Sequence, residues 1–343
     1  MKNISYYILF SITLFSCDKD LIVDTSAKAD FDLFFEYLEN DYAYRDYHPF
    51  TMAELKQKYI AQMEASNSQS TLANIILNSI INDLKDPHVG MKSSEPYYLT
   101  TVTTNSPPVI LETIIPQFGE ISVYTETQFY TSGVVTSNSS IGYLYIRAFN
   151  TVIGGSNSFE IEEGVKEIDQ IIQKLNNLGV TSMIIDIRSG AGGSNYVPRY
   201  IAQRFIDKTA TYMIEHYPEG DSFLNKEWNI EPAGIGFRTK KIALLSNGTT
   251  ASGGEMFLLA MLQRDHIIHI GSNSAGAAGN IVDKDLSNGW NLTLTNSRTE
   301  FPNGDSYFKI GISPSIIVKN DTNYGLTHLS DKLIEKAIEE LEN

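Results

Sequence analysis

Apolar side chains return at helical spacing through the first part of the chain and give way to short apolar runs further on. Phe31, Phe34, Phe35, Leu38 and Tyr42 fall on one face of a helix. Thr51 and Glu54 form a capping box ahead of a second face made by Leu55, Tyr59 and Met63. Leu72, Ile75, Ile76, Ile80 and Leu84 make a third stripe, stopped by Asp86-Pro87-His88-Val89-Gly90. From residue 96 to 140 the chain is rich in Thr, Ser, Val, Ile and Tyr, with Pro107-Pro108 and Gly119, and reads as short strands and turns. From Ile141 the pattern alternates. Gly142 to Ile146 reads as a strand, and Ile161, Val165, Ile168, Ile172 and Leu175 as a helix stopped by Gly179. Met183 to Ile187 is strand-like, Val197 to Phe205 helical, Lys241 to Ser246 a strand and Ser252 to Gln263 a helix. Ile267 to Ile270 and Trp290 to Thr295 are further strands, and Leu333 to Leu341 a closing helix. The pattern divides the chain into an N-terminal helical domain (31–93), a short β-rich linker (94–140) and an α/β core (141–343).

The start of the chain follows a different logic. Lys2 precedes an apolar run from Tyr6 to Phe15, too short to cross a bilayer, which needs about 20 residues. It suits the apolar region of a signal peptide. Leu14-Phe15-Ser16-Cys17 follows, and it resembles a bacterial lipobox with Cys17 as the lipid attachment site. The expectation is a lipoprotein signal peptide over 1–16, a tether over 17–30, and an exported protein held at a membrane of the cell envelope. Cys17 is the single cysteine, so no intramolecular disulfide exists. Apolar residues make up 42% of the chain, enough for a real core. The net charge of −15 argues against nucleic acid and other polyanions as partners. The histidines show no metal-ligand spacing, so neither metal nor cofactor is expected.

Two turns carry candidate chemistry. Asn247-Gly248-Thr249-Thr250-Ala251-Ser252-Gly253-Gly254-Glu255 lies between a strand and an apolar helix. A hydroxyl there stands at the positive end of a helix dipole, beside amides that an oxyanion can use. The alternative reading of Ser252 is a plain N-cap. Asp186-Ile187-Arg188-Ser189-Gly190-Ala191-Gly192-Gly193-Ser194 also follows a strand and exposes glycine amides. No Gly-Lys-Ser/Thr follows it, so it is not a nucleotide loop. A tight turn that needs positive φ explains it equally well.

Together these segments resemble the C-terminal-processing, or tail-specific, peptidase family, which includes the tricorn core. Leu84-Lys85-Asp86-Pro87-His88-Val89 is similar to its Leu-x-Asp-Gly-His-Thr/Val. Ile141 to Phe149 looks like the strand that opens its catalytic domain. Ile184-Ile185-Asp186-Ile187-Arg188 with Gly192-Gly193 is similar to Asp-Leu-Arg-x-Asn-x-Gly-Gly, and Thr250-Ala251-Ser252-Gly253-Gly254-Glu255 to Thr-Ala-Ser-Ala-x-Glu. Gly271, Gly276, Asn288-Gly289, Asn303-Gly304 and Gly311-Ile312-Ser313-Pro314 follow in the family's order. The resemblance implies a ClpP/crotonase-like core and hydrolysis of peptide or protein substrates. It makes Ser252 the nucleophile, with Gly253 and Gly192 or Gly193 stabilising the oxyanion.

The base departs from the commonest pattern. Tail-specific proteases carry a general-base lysine downstream of the serine, where this chain reads Ser274-Ala275-Gly276-Ala277-Ala278-Gly279. The tricorn-like branch uses a histidine ahead of the core, and His88 matches that position. Pro87 and Phe308 stand where that branch has a serine and a glutamate, Gly190 where the family has asparagine, and Pro314-Ser315 where it has Pro-Asp. Asp86 is one candidate to orient His88; Lys284 and Lys309 are lysine bases by sequence proximity alone. Glu255 is expected to satisfy backbone amides rather than act as base. The stretch from Ser94 to Ile141 is too short for a complete PDZ module. A second reading keeps the fold for binding peptides or hydrophobic ligands without catalysis. An enoyl-hydratase-like enzyme lacks the paired carboxylates and coenzyme A site it would need.

Overall fold

The computed structural model describes residues 26–93, 99–100, 120–150, 158–188, 190–194, 196–237, 241–318 and 331–343. Cys17, the signal segment and Pro107-Pro108 lie outside them. The order expected from periodicity, helices first and a multi-stranded sheet with helices after, is the order found.

The first helix runs Ala27–Asn40, capped by the Ser26 side chain, so it starts ahead of the first apolar residue of its stripe. The second, Met52–Ala65, opens on the expected capping box: Thr51 Oγ1 accepts the Glu54 N–H at 3.2 Å and the Thr51 N–H donates to Glu54 at 2.7 Å. The third, Gln69–Asn78, passes into a π-helical turn, Ser79–Leu84, and Lys85 ends it at φ 52°. These helices pack on one another but do not complete their core alone. Phe31, Phe34, Leu38, Leu72 and Ile76 share one core with Trp290, Leu292, Leu294 and Phe308 from the far end of the chain. The strand Gly90–Lys92, just after the helices, pairs antiparallel with Asn291–Thr295, with Gly90 opposite Thr293.

Seven strands make the central sheet. Its spatial order is Ile316–Ile317, Ile267–Gly271, Lys241–Ser246, Ser182–Asp186, Ile141–Ile146, Tyr130–Val135, Ile121–Glu126. The first five run parallel; Tyr130–Val135 runs antiparallel to them, and Ile121–Glu126 antiparallel to Tyr130–Val135 in turn. The interior parallel strands are covered on both faces, which is why they read as unbroken apolar runs. Ile242, Leu244, Met183 and Ile185 face a core with Met256, Phe257 and Ile172. Ala243, Leu245 and Ile184 face another with Leu333, Ile334 and Ala337 of the closing helix, Lys332–Glu342. Beneath that helix the Arg188 guanidinium is fully buried between Asp186 (2.6 Å) and Asp331 (2.7 Å). Asp331 also caps the helix by accepting the Leu333 N–H.

One large feature differs from expectation. Residues 210–230 form a long hairpin, Ala210–Glu219 with Ser222–Ile230, bulged at Trp228/Asn229. Pro218 and the charged residues of its solvent-facing strand blur the alternation that marks a strand.

The parallel register decides where the site lies. Leu245 pairs with Asp186, so Ser182–Asp186 and Lys241–Ser246 end at the same edge. Both chemistry-bearing turns leave from that edge, the usual position of ligand sites in open α/β sheets.

Candidate active site

Ser252 precedes the helix Gly253–Met261 with φ 51° and ψ −116°. A non-glycine residue with positive φ is strained, and such strain persists only where the surroundings enforce it. The enforcement is visible. The Ser252 N–H donates to the Ala277 carbonyl at 3.0 Å and to the Glu255 carboxylate at 3.2 Å. The Ala275 N–H donates to the Thr250 carbonyl at 2.9 Å, and Thr250 Oγ1 to the Ile187 carbonyl at 2.9 Å. The side chain of Ser252 is half-buried, neither sealed in the core nor free in solvent.

The glycine turn packs against that serine. A Cβ on Gly192 would lie 2.9 Å from Ser252 Cβ and 3.1 Å from Ser252 Oγ. A Cβ on Gly253 would lie 3.4 Å from the Gly193 nitrogen, so the two amides are neighbours. Gly193 has φ 148°, and a Cβ there would sit 2.2 Å from the Phe149 carbonyl oxygen. A Cβ on Gly190 would come within 2.8 Å of the Ile187 carbonyl oxygen, so this position of the turn is also tight. The fold thus brings Gly192 and Gly193 against Ser252 and Gly253, a pair far from them in sequence.

Glu255 is fully buried and accepts from Ser274 Oγ at 2.5 Å, from the Gly276 N–H at 2.7 Å and from the Ser252 N–H. Burial pushes its carboxyl up to about 7, against those hydrogen bonds, which lower it. As the sequence suggested, it serves backbone amides and a neighbouring loop.

His88 sits in the turn between the π-helical turn and Gly90–Lys92, and no hydrogen bond joins it to Ser252. Its Nδ1 atom is buried without a hydrogen-bond partner among the described residues. Burial lowers its ring below the ordinary histidine range, and the Asp86 carboxylate partly opposes this. Asp86 does not hold the ring: its Oδ1 accepts the His88 main-chain N–H at 2.9 Å, and its Oδ2 accepts Thr295 Oγ1 at 2.8 Å. Lys284 is committed to Asp41 at 2.8 Å. Lys309 is bound through its N–H to the Gly276 carbonyl at 2.9 Å, and its ammonium lies 4.8 Å from the centre of the Phe308 ring. Phe308 itself stacks on Tyr44 with ring centroids 3.6 Å apart.

Sequence reasoning missed Ser274, Phe149 and Tyr44 as neighbours of the site. The Tyr44 hydroxyl donates to the Ala278 carbonyl at 3.4 Å, one residue from the carbonyl that holds Ser252. Each comes from a segment far off in sequence, and no local pattern marks them.

The carboxy-terminal processing protease CtpA of Bacillus subtilis is 25% identical over 179 residues, covering 52% of this chain and 35% of that protein. CtpB of the same organism aligns over 37% of its length, so the chain spans little more than a third of these curated relatives. Among solved structures, a candidate peptidase from Parabacteroides merdae superposes with a TM-score of 0.76 at 18% identity, covering 93% of this chain and 98% of that one. The photosystem II D1 C-terminal processing protease gives 0.55 at 13% identity, with 93% and 98% covered. At such identities the superpositions speak for the fold alone. Residues 140–318, more than half of the sequence and all of the ground on which Ser252 and its glycine turn stand, match the model of peptidase family S41, and the chain belongs to that family.

Proposed function

We propose that this protein is a serine peptidase that hydrolyses peptide bonds of protein or peptide substrates through Ser252. The observation that carries this reading is the strained Ser252 at the mouth of its helix, with Gly192 packed on its side chain and the amides of Gly253 and Gly193 beside it. Ser252 Oγ attacks the scissile carbonyl, and the resulting oxyanion takes the amide of Gly253 and that of Gly193 or Gly192. His88 is the general base. Its lowered pKa leaves the imidazole neutral at pH 7, the form that accepts the serine proton and then delivers it to the leaving amine. His88 and Ser252 are not hydrogen-bonded in this state, so the dyad tightens when substrate is bound.

A fluorophosphonate probe tests the assignment. The expected result is labelling of the full chain that disappears in Ser252→Ala and slows by about 100-fold or more in His88→Ala. Labelling that survives Ser252→Ala would exclude Ser252 as nucleophile. The missing His88–Ser252 bond favours a second reading, a binding protein that keeps the fold without catalysis. Cleavage of any peptide abolished by Ser252→Ala rules that out.

We also propose export and lipid anchoring at Cys17, on the strength of the apolar run and Leu14-Phe15-Ser16-Cys17. Metabolic labelling with a radioactive fatty acid, lost in Cys17→Ser, is the expected result; equal incorporation in both proteins would overturn it.

A further inference from the structure

The loop Ser274–Ala278 stands where the general-base lysine of tail-specific proteases would be sought, and here it grips the nucleophile from behind. The Ala277 carbonyl accepts the Ser252 N–H at 3.0 Å, and the Gly276 N–H meets Glu255 at 2.7 Å. Ser274 is 6% exposed and makes two bonds through one oxygen. It donates to Glu255 at 2.5 Å and accepts the Ile312 N–H at 2.7 Å. The other oxygen of Glu255 accepts from Ser252, so one fully buried carboxylate ties this loop to the serine's own backbone. Three donors converge on that carboxylate, an arrangement that favours its ionised form.

We propose that Ser274 and Glu255 are positioning residues for Ser252: the ionised carboxylate, steadied by the Ser274 hydroxyl, holds the Ser252 amide and keeps the residue in its strained, reactive conformation. This rests on the reading of Ser252 as nucleophile. A protonated Glu255 turns one oxygen into a donor and gives up part of its hold on the Ser252 N–H. The titratable groups that face Glu255 are the phenols of Tyr44 and Tyr307, both pushed well above their ordinary range by burial, so neither is charged near neutrality. Burial moves the His88 titration to the acid side of its ordinary range, whereas it moves that of Glu255 up to about 7.

The test is the rate of fluorophosphonate labelling of Ser252 against pH, in the full chain and in Ser274→Ala and Glu255→Gln, with melting curves on each. In the wild type the rate is expected to climb through about pH 7, where Glu255 ionises. In Ser274→Ala the charged form loses a donor; labelling at pH 7 falls about 10- to 100-fold and the climb moves to higher pH. Glu255→Gln stays at the slow rate with no climb. Folded variants that label at the wild-type rate with an unmoved profile would overturn the proposal. Where the wild type takes no label, it is the nucleophile reading that fails, and amide exchange decides on positioning. Faster exchange across residues 250–256 in Ser274→Ala supports it, and unchanged protection there overturns it.

Discussion

Gly192 shows how much rests on one missing methyl group. Its Cβ position lies 2.9 Å from Ser252 Cβ, closer than side-chain carbons approach one another, so Gly192→Ala must push the serine or the turn aside. A displacement near 1 Å at a reacting centre costs about 100-fold in rate. We expect Gly192→Ala to slow fluorophosphonate labelling by about that factor while leaving the melting temperature within a few degrees. Equal labelling would show that the glycine is not needed for close approach. The place of Ser252 between a strand and a helix was legible in the sequence because its flanks are local: an apolar run before it, small residues around it and an apolar helix after it. His88 was legible as a residue and not as a partner. The Asp86 bond to the His88 main-chain N–H is a local Asx turn, whereas its bond to Thr295, more than two hundred positions away, is information no spacing rule carries.

Among the secondary-structure elements, the closing helix owes its place to a buried charge cluster as much as to its apolar face. Arg188 is bonded to Asp186 and Asp331 and is only 1% exposed, so burial of the guanidinium is compensated by two carboxylates. Removing one of them leaves a poorly compensated charge and an uncapped helix. Breaking such a pair typically costs about 3–5 kcal/mol. We expect Asp331→Ala to lower the urea midpoint accordingly with the slope unchanged, and a change under about 1 kcal/mol would contradict it. The strands of the sheet were readable because an interior parallel strand must be apolar on both sides. The hairpin at 210–230 was not, because much of its second strand faces solvent and offers no apolar repeat. Its buried Glu215 is satisfied by Tyr217, Trp228, Asn280 and Ser297, four donors that no single stretch of sequence brings together.

The whole molecule joins its first helices to its last strands. Tyr44 marks the joint: it is fully buried, stacks on Phe308 and donates to Ala278. Tyr44→Ala should cost about 3–5 kcal/mol, in the range of buried aromatic-to-alanine changes. It should also speed amide exchange across 274–280 and 291–295 relative to the central sheet. Exchange unaltered in those two segments would mean that the helices are docked by other contacts. Periodicity gave the helices and strands separately; it gave no hint that they share a core, because both partners look alike to any rule that reads one window at a time.

That shared core sets a schedule for synthesis. Phe31, Phe34 and Leu38 share a core that is not complete until Trp290 to Leu294 have been made, and Asp30 waits for the Ser287 N–H it accepts at 2.7 Å. At about 5–20 residues per second the ribosome needs on the order of ten seconds or more to travel that far. Throughout that interval the nascent chain carries a sticky aromatic stripe near its leading end, so holdase chaperones have a long window in which to bind it before it folds.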